Sequence, residues 1–314
     1  SPEFAYGVYY LVSKFFAPAL VGKTISSASE LLEQLAIFKG NPFAKSALEI
    51  AWWTLEAKMQ QKPLHELIGG KKKFVEVGAD FCVQDSIDEL LEKINGAVEA
   101  GFKRIKLKIK RGWDLEVLKE VRRVFPKFTF HVDCNSGYTL DDMPLFKEID
   151  KLGLAMIEQP LFHADLYDHA KLQSQLDTPI CLDESCDSVH AVRVAIELGS
   201  CRYMNIKPGR VGGIKNSIEI HDMCKEANIG CWIGGMLESS VGVGILIELA
   251  TLDNIVYPSD IIESKTFYAE EISQKEIELS GPGMMEASNI PGNPFEPDME
   301  RLKKRTILYE CIDK

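Results

Sequence analysis

Short apolar runs recur through the middle of the chain, each ending at a charged residue: RIKLKIK (104–110), FTFHVDCN (128–135), AMIEQP (155–160), PICLDES (179–185) and YMNIKPG (203–209). Amphipathic stretches of helical spacing lie between them. The charged residues Lys108, Asp133, Glu158, Asp183 and Lys207 stand 25, 25, 25 and 24 residues apart. That length holds one strand, one turn and one helix, so the pattern predicts consecutive βα units and a parallel sheet. Charge inside a sheet is costly unless it is paired or ligates metal. Its recurrence at five strand ends therefore points to one shared site at the C-terminal mouth of a barrel.

The flanks read differently. Residues 27–70 predict helices: a serine-rich start at 26–29 precedes ELLEQLAIF, and Asn41-Pro42 opens FAKSALEIAWWTLEAKMQ, which Lys62-Pro63 and Gly69-Gly70 close. Trp52 and Trp53 are expected to be core aromatics. FVEVGADF (74–81) predicts the first barrel strand, and GCWIGGM (230–236) and NIVYPSD (254–260) two later ones. After about residue 264 the pattern changes to FYAEEISQKEIELSGPG and a Pro/Gly-rich tract. The expected division is a partial capping domain over 1–70, a barrel over 71–264 and a return to the cap over 265–314.

Composition narrows the chemistry. A net charge of −11 and a pI near 5.2 argue against a nucleic-acid or anionic-membrane surface and favour a small-molecule substrate. Eight cysteines without a CxxC pair read as reduced thiols. With neither a membrane-spanning run nor a signal peptide in view, the expected location is cytoplasmic. Oligomeric state, a homo-oligomer included, is left open.

Alternation places Lys106 and Lys108 on one face of their strand, pointing inward, with Ile105, Leu107 and Ile109 outward. Two adjacent cations are expected to lower the pKa of at least one lysine toward the range of a base. Asp133, Glu158 and Asp183 have two uses: a hard-oxygen site for Mg²⁺, or salt bridges to the barrel lysines. Two lysines neutralise three carboxylates incompletely, which favours the ion; no histidine stands at these points to suggest zinc or iron. His131 is expected to be structural. Lys207 falls across the ring from Lys108, and a lysine on each side of a metal suits removal of a proton α to a carboxylate. PGRVGG (208–213) reads as tight geometry before a phosphate cradle, and Glu238 as solvated.

IKLKI, VDCNSGYTL, MIEQPL, TPICLDES, NIKPGRVGG and GGMLESSVG together resemble the motifs of the enolase superfamily, muconate-lactonizing subgroup, o-succinylbenzoate synthase / N-succinylamino acid racemase family, over about residues 43–264. Sites of that superfamily are a known instance of a lysine or histidine base working with Mg²⁺. The resemblance implies an α/β fold, a (β/α)7β-type TIM barrel with a small α+β capping domain. Family members carry strands and a mobile loop upstream of the first helices, so the cap here is expected to be truncated at its N-terminus. The tail NIPGNPFEPDMERL also departs from the family pattern.

Carried over by position, the resemblance implies Lys108 as base with Lys106 beside it, Lys207 as the opposing lysine, and Asp133, Glu158 and Asp183 as ligands of Mg²⁺, with Mn²⁺ able to substitute. Asn135, Arg210, Gly235 and Met236 are the candidate substrate contacts, and Arg210 falls where racemase-capable members carry an arginine. The implied reaction is dehydration of 2-succinyl-6-hydroxy-2,4-cyclohexadiene-1-carboxylate to o-succinylbenzoate, a menaquinone precursor. The alternatives are N-succinylamino acid racemisation or dipeptide epimerisation at the same site, and a metal-binding fragment without turnover.

Overall fold

The computed structural model describes residues 2–312. Helices come first: α1 (Ala5–Leu11), a π-helical turn (Val12–Phe16), α2 (Ala17–Leu20), α3 (Ala28–Gln34), α4 (Pro42–Met59) and α5 (Leu64–Leu67). Ser27 caps α3 by accepting the Glu30 N–H, as the serine-rich start predicts. Trp53 packs on the main core and Trp52 on a smaller cluster around Phe16, Leu31 and Leu35, and the two rings meet edge to face.

Strands and helices then alternate. After β1 (Phe74–Glu76) and β2 (Ala79–Phe81) come α6 (Ile87–Glu99), β3 (Arg104–Lys108), α7 (Leu115–Val124), β4 (Thr129–Asp133), α8 (Met143–Asp150), β5 (Ile157–Glu158) and α9 (Leu166–Gln173). The series continues with β6 (Ile180–Leu182), α10 (Val189–Leu198), β7 (Tyr203–Ile206), α11 (Pro208–Val211), α12 (Ile214–Glu226), β8 (Gly230–Ile233) and α13 (Ser240–Ala250), and closes with β9 (Met284–Glu286) and α14 (Met299–Arg305). Strands β2 to β8 form one parallel sheet in sequence order. Their outward residues, such as Ile105, Leu107, Val132, Ile157 and Ile206, are buried in the main core. Inside the ring, Met156, Cys181, Trp232 and Tyr257 form a separate plug below the charged strand ends.

Two strand expectations need correction. The run 74–81 is not one strand: β1 pairs antiparallel with β9 outside the barrel, whereas β2 pairs with β3. The chain changes partners at Val77 and Gly78, whose N–H groups donate to Gly283 O and Ser259 O. Gly78 also leaves room for Arg104, whose guanidinium would lie 2.1 Å from an added Cβ. Nor is 254–260 a regular strand. Its backbone bridges β8 at Cys231, Gly234 just past the end of β8, and the Val77 segment at Ser259, closing the ring through isolated bridges. Pro258 supplies no N–H to a ladder, and its carbonyl is taken by Arg104 instead.

The segment after residue 264 returns to the N-terminal helices. Pro63 bridges Pro291 and Gly292, and Lys58 pairs with Glu296. Among the described residues no helix is long and apolar enough to cross a membrane.

Glu49 fixes α4 to the barrel. Fully buried, its carboxylate accepts the Ile214 and Lys215 N–H groups at 2.7 and 2.8 Å, at the start of α12, and Trp53 Nε1 at 2.8 Å. This fills the turn considered as a phosphate cradle: a Cβ on Gly213, which has φ +124°, would lie 2.2 Å from Glu49 Oε2. Glu49→Ala would leave these buried donors unpaired and is expected to lower unfolding stability by about 1–3 kcal/mol per orphaned group before relaxation. Denaturant unfolding checks this, and an unchanged midpoint would show that the clasp contributes nothing.

Candidate active site

The strand register gathers the charged ends. Lys108 is opposite Asp133, and Asp133 opposite Glu158, on neighbouring strands. Counting the bridged 254–260 segment as the eighth position, β3 and β7 stand four places apart, so Lys108 and Lys207 face each other across the ring. Lys106, Lys108 and Lys207 all line one cavity of about 410 Å³, together with Gly235, Asp260 and an apolar wall that includes Phe81, Ile262 and Leu279.

The three carboxylates are almost completely buried and already engage cations. Asp133 lies 2.6 Å from Lys108 Nζ and 3.0 Å from Lys106 Nζ. Glu158 is 3.0 Å from Lys106 and accepts Asn205 Nδ2 at 2.9 Å. Asp183 pairs with Lys207 at 3.0 Å and with Arg210. Each of the three carboxylates thus touches a site lysine, and among the described residues no three His, Cys, Asp or Glu are disposed to hold an ion as they stand.

Neutralisation is nevertheless incomplete. Glu184 Oε2 and Asn205 Oδ1 are buried without a hydrogen-bond partner, and Glu158 Oε2 has only its ion-pair contacts with Lys106 and His131. Burial, then Asp133 and Asp183, push the Glu158 carboxyl well above its ordinary range against the pull of Lys106. For Asp183 burial acts upward too, but Lys207 and Arg210 outweigh it and hold the carboxyl low. Buried oxygens lacking donors, beside carboxylates that repel one another, are a donor set that fits a hard divalent cation.

The expectation of a depressed lysine is not met. Burial lowers both Lys106 and Lys108, yet the carboxylates around them reverse the sign. Asp260, Glu158 and Asp133 lift Lys106 well above its ordinary value, and Asp133 lifts Lys108 despite repulsion from Lys106. A two-lysine argument omits the larger opposing charge.

The candidate substrate contacts divide. Asn135, in a left-handed backbone conformation, accepts Lys108 Nζ at 2.7 Å and donates to Glu184 Oε1 at 3.1 Å. Arg210 is buried against Asp183. At Gly235 an added Cβ would lie 2.8 Å from Asp260 O, so the backbone there is tightly placed at the cavity wall. Met236 lines a different cavity, of about 840 Å³, which holds none of Lys106, Lys108 and Lys207. Glu238 is half-buried rather than solvated, accepts the Met236 N–H at 2.7 Å, and is pushed up by burial. His131 sits below the carboxylates, its Nδ1 3.1 Å from the Tyr257 hydroxyl and its Nε2 3.3 Å from Glu158, and burial with Arg104 and Lys106 nearby keeps it neutral.

Sequence reading missed Arg104, Asp260 and Asn205. All three carry a signal: Arg104 and Asn205 each stand two residues before a site lysine, on the same strand face. Asp260 ends the last apolar run as the other five charges end theirs.

The sequence profile described as "Enolase C-terminal domain-like" matches residues 89–301, and that of the "Mandelate racemase / muconate lactonizing enzyme, N-terminal domain" matches residues 2–69. The chain belongs to the enolase superfamily. Within that superfamily, an o-succinylbenzoate synthase of Geobacillus kaustophilus is 43% identical over 306 residues, 98% of this chain and 81% of the relative. An N-succinylamino acid racemase of Thermus thermophilus is 44% identical over 272 residues, 87% of this chain and 74% of the relative. A solved enolase-superfamily structure from Listeria innocua superposes with a TM-score of 0.93 at 38% identity, covering 97% of this chain and 82% of that one. These likenesses establish the o-succinylbenzoate synthase / N-succinylamino acid racemase family and the α/β barrel architecture expected from the motifs.

Proposed function

We propose that this protein is a Mg²⁺-dependent lyase that removes a proton α to a carboxylate, dehydrating 2-succinyl-6-hydroxy-2,4-cyclohexadiene-1-carboxylate to o-succinylbenzoate. The observation that carries this reading is the pair Lys108 and Lys207 on opposite walls of one cavity, with three buried carboxylates at the strand ends between them. The relatives named as synthases support the choice of reaction.

Asp133, Glu158 and Asp183 would hold the divalent cation, Mg²⁺ by preference and Mn²⁺ as a substitute. When bound, the cation supplies positive charge that offsets the charge the substrate carboxylate gains on losing its α-proton. Lys108 takes that proton at Nζ as the free amine, a form that the Asp133 charge beside it disfavours and that a cation bound to Asp133 would favour. As the resulting ammonium, it returns a proton to the departing hydroxyl on the same face, which leaves as water. Lys207, charged on the opposite wall, stabilises the electron-rich species by its field. Asn135 orients the Lys108 amine through its side-chain oxygen. The apolar wall of Phe81, Ile262 and Leu279 keeps water from the reacting carbon. A small carboxylate is the expected partner, and buried cysteines outside any disulfide, such as Cys134, Cys181 and Cys231, support a cytoplasmic location.

A racemase activity on N-succinylamino acids has its own support, because proton removal on one face and delivery on the other needs two opposed bases, and a relative carries that name. In D₂O, Lys108→Ala is expected to keep α-proton exchange for one enantiomer, Lys207→Ala for the other, and neither to racemise. NMR of separate D and L substrates reads this directly. Exchange of both hands by either variant would contradict the opposed-lysine reading; no exchange by the unaltered protein would leave only the lyase.

A further inference from the structure

Three cations point into the barrel from β3, and the middle one is in conflict. Lys106 Nζ lies 2.8 Å from Asp260, 3.0 Å from Asp133, 3.0 Å from Glu158 and 4.0 Å from Asp80. Two of those partners are carboxylates assigned above to the divalent cation. A carboxylate oxygen occupied by a buried ammonium is blocked for a second cation, and the two positive charges repel strongly in a dry site.

Asp260 differs from the other partners in how it is held. Its second oxygen is 2.5 Å from Arg104 Nη2, and Arg104 is fully buried, donating also to Asp80 at 2.7 Å and to Pro258 O at 2.7 and 3.2 Å. Trp232 lies under both cations, 5.6 Å from the guanidinium and 5.2 Å from the Lys106 ammonium. The backbone at Gly78 gives way to this arginine. Arg104 and Asp260 therefore form a fixed anionic seat for Lys106 on the side away from β4 and β5.

We propose that Asp260 is a positioning residue that gives Lys106, here shared with Asp133 and Glu158, a seat to keep when a divalent cation takes those two carboxylates. The inference rests on the assignment of Asp133, Glu158 and Asp183 as its ligands. Without the Asp260 charge, the strongest partners left to Lys106 are the ligands themselves, and the ammonium competes with the incoming ion. Asp260 then acts on the cation only through Lys106, which a purely structural role would not require.

Mn²⁺ binding followed by the EPR signal of the free ion tests this without turnover, on the unaltered protein, Asp260→Asn, Lys106→Met, their double variant and Glu158→Gln. Asp260→Asn is expected to weaken Mn²⁺ binding roughly 5- to 150-fold, the usual range of coupling between sites. In the Lys106→Met background the same change is expected to have little effect, and Lys106→Met alone to bind more tightly than the unaltered protein. Equal affinity in Asp260→Asn, or an equal loss in both backgrounds, overturns the proposal. Should Asp260→Asn fail to fold by circular dichroism, Lys106→Met decides: unchanged or weaker binding there shows that Lys106 does not compete. Unchanged binding in Glu158→Gln, or none in the unaltered protein, overturns the ligand assignment and this proposal together. Loss in Glu158→Gln with normal binding in Asp260→Asn overturns this proposal alone.

Discussion

Lys108→Ala is expected to reduce dehydration by about 10²–10⁴-fold, the usual contribution of a positioned acid or base, and here one amine performs both proton transfers. Its side chain is 30% exposed, so truncation opens little core, and Asp133 keeps Lys106 as a partner. Folding should therefore survive. Product formation followed by ultraviolet absorbance, with circular dichroism as the folding control, separates the two effects. A variant within tenfold of the parent would move the base elsewhere. Lys207→Arg keeps a charge but gives up easy deprotonation, so it should harm racemisation more than dehydration.

Glu158→Gln should be nearly as severe for turnover and should likewise leave the fold intact. The substitution keeps shape and removes one charge at a fully buried position. Activity is expected to fall by about 10²-fold or more, on the scale of losing one preorganised electrostatic contact, with partial recovery at high Mg²⁺ or Mn²⁺. Burial and Asp133 already disfavour the Glu158 charge, and Lys106 retains Asp133 and Asp260 when that charge is gone. Thermal stability should therefore hold or rise while activity is lost. Normal turnover in this variant without added metal would remove Glu158 from the ligand set.

The ring of charges was legible in the sequence because it is periodic. A spacing of 25 residues is set by the strand, turn and helix of each unit, and alternation within RIKLKIK decides which side chains face inward. What escaped is whatever depends on contact across the barrel. Asp260 meets Lys106 from 154 positions away, and only closure of the ring brings them together. The sign of the lysine shifts was misjudged for the same reason: the neighbouring lysine is visible in sequence, whereas the surrounding carboxylates arrive from other strands. Glu49 resembles any other acid on an amphipathic helix until α12 is docked on it. The split of 74–81 depends on β9, more than 200 residues downstream.

The central claim is tested most directly by adding 2-succinyl-6-hydroxy-2,4-cyclohexadiene-1-carboxylate to the unaltered protein and following o-succinylbenzoate by its absorbance, first with Mg²⁺, then after chelation and again after Mg²⁺ is restored. Rapid product formation that stops on chelation and returns with the ion is the predicted result. Product formed at the same rate throughout, or none at any stage, would contradict it.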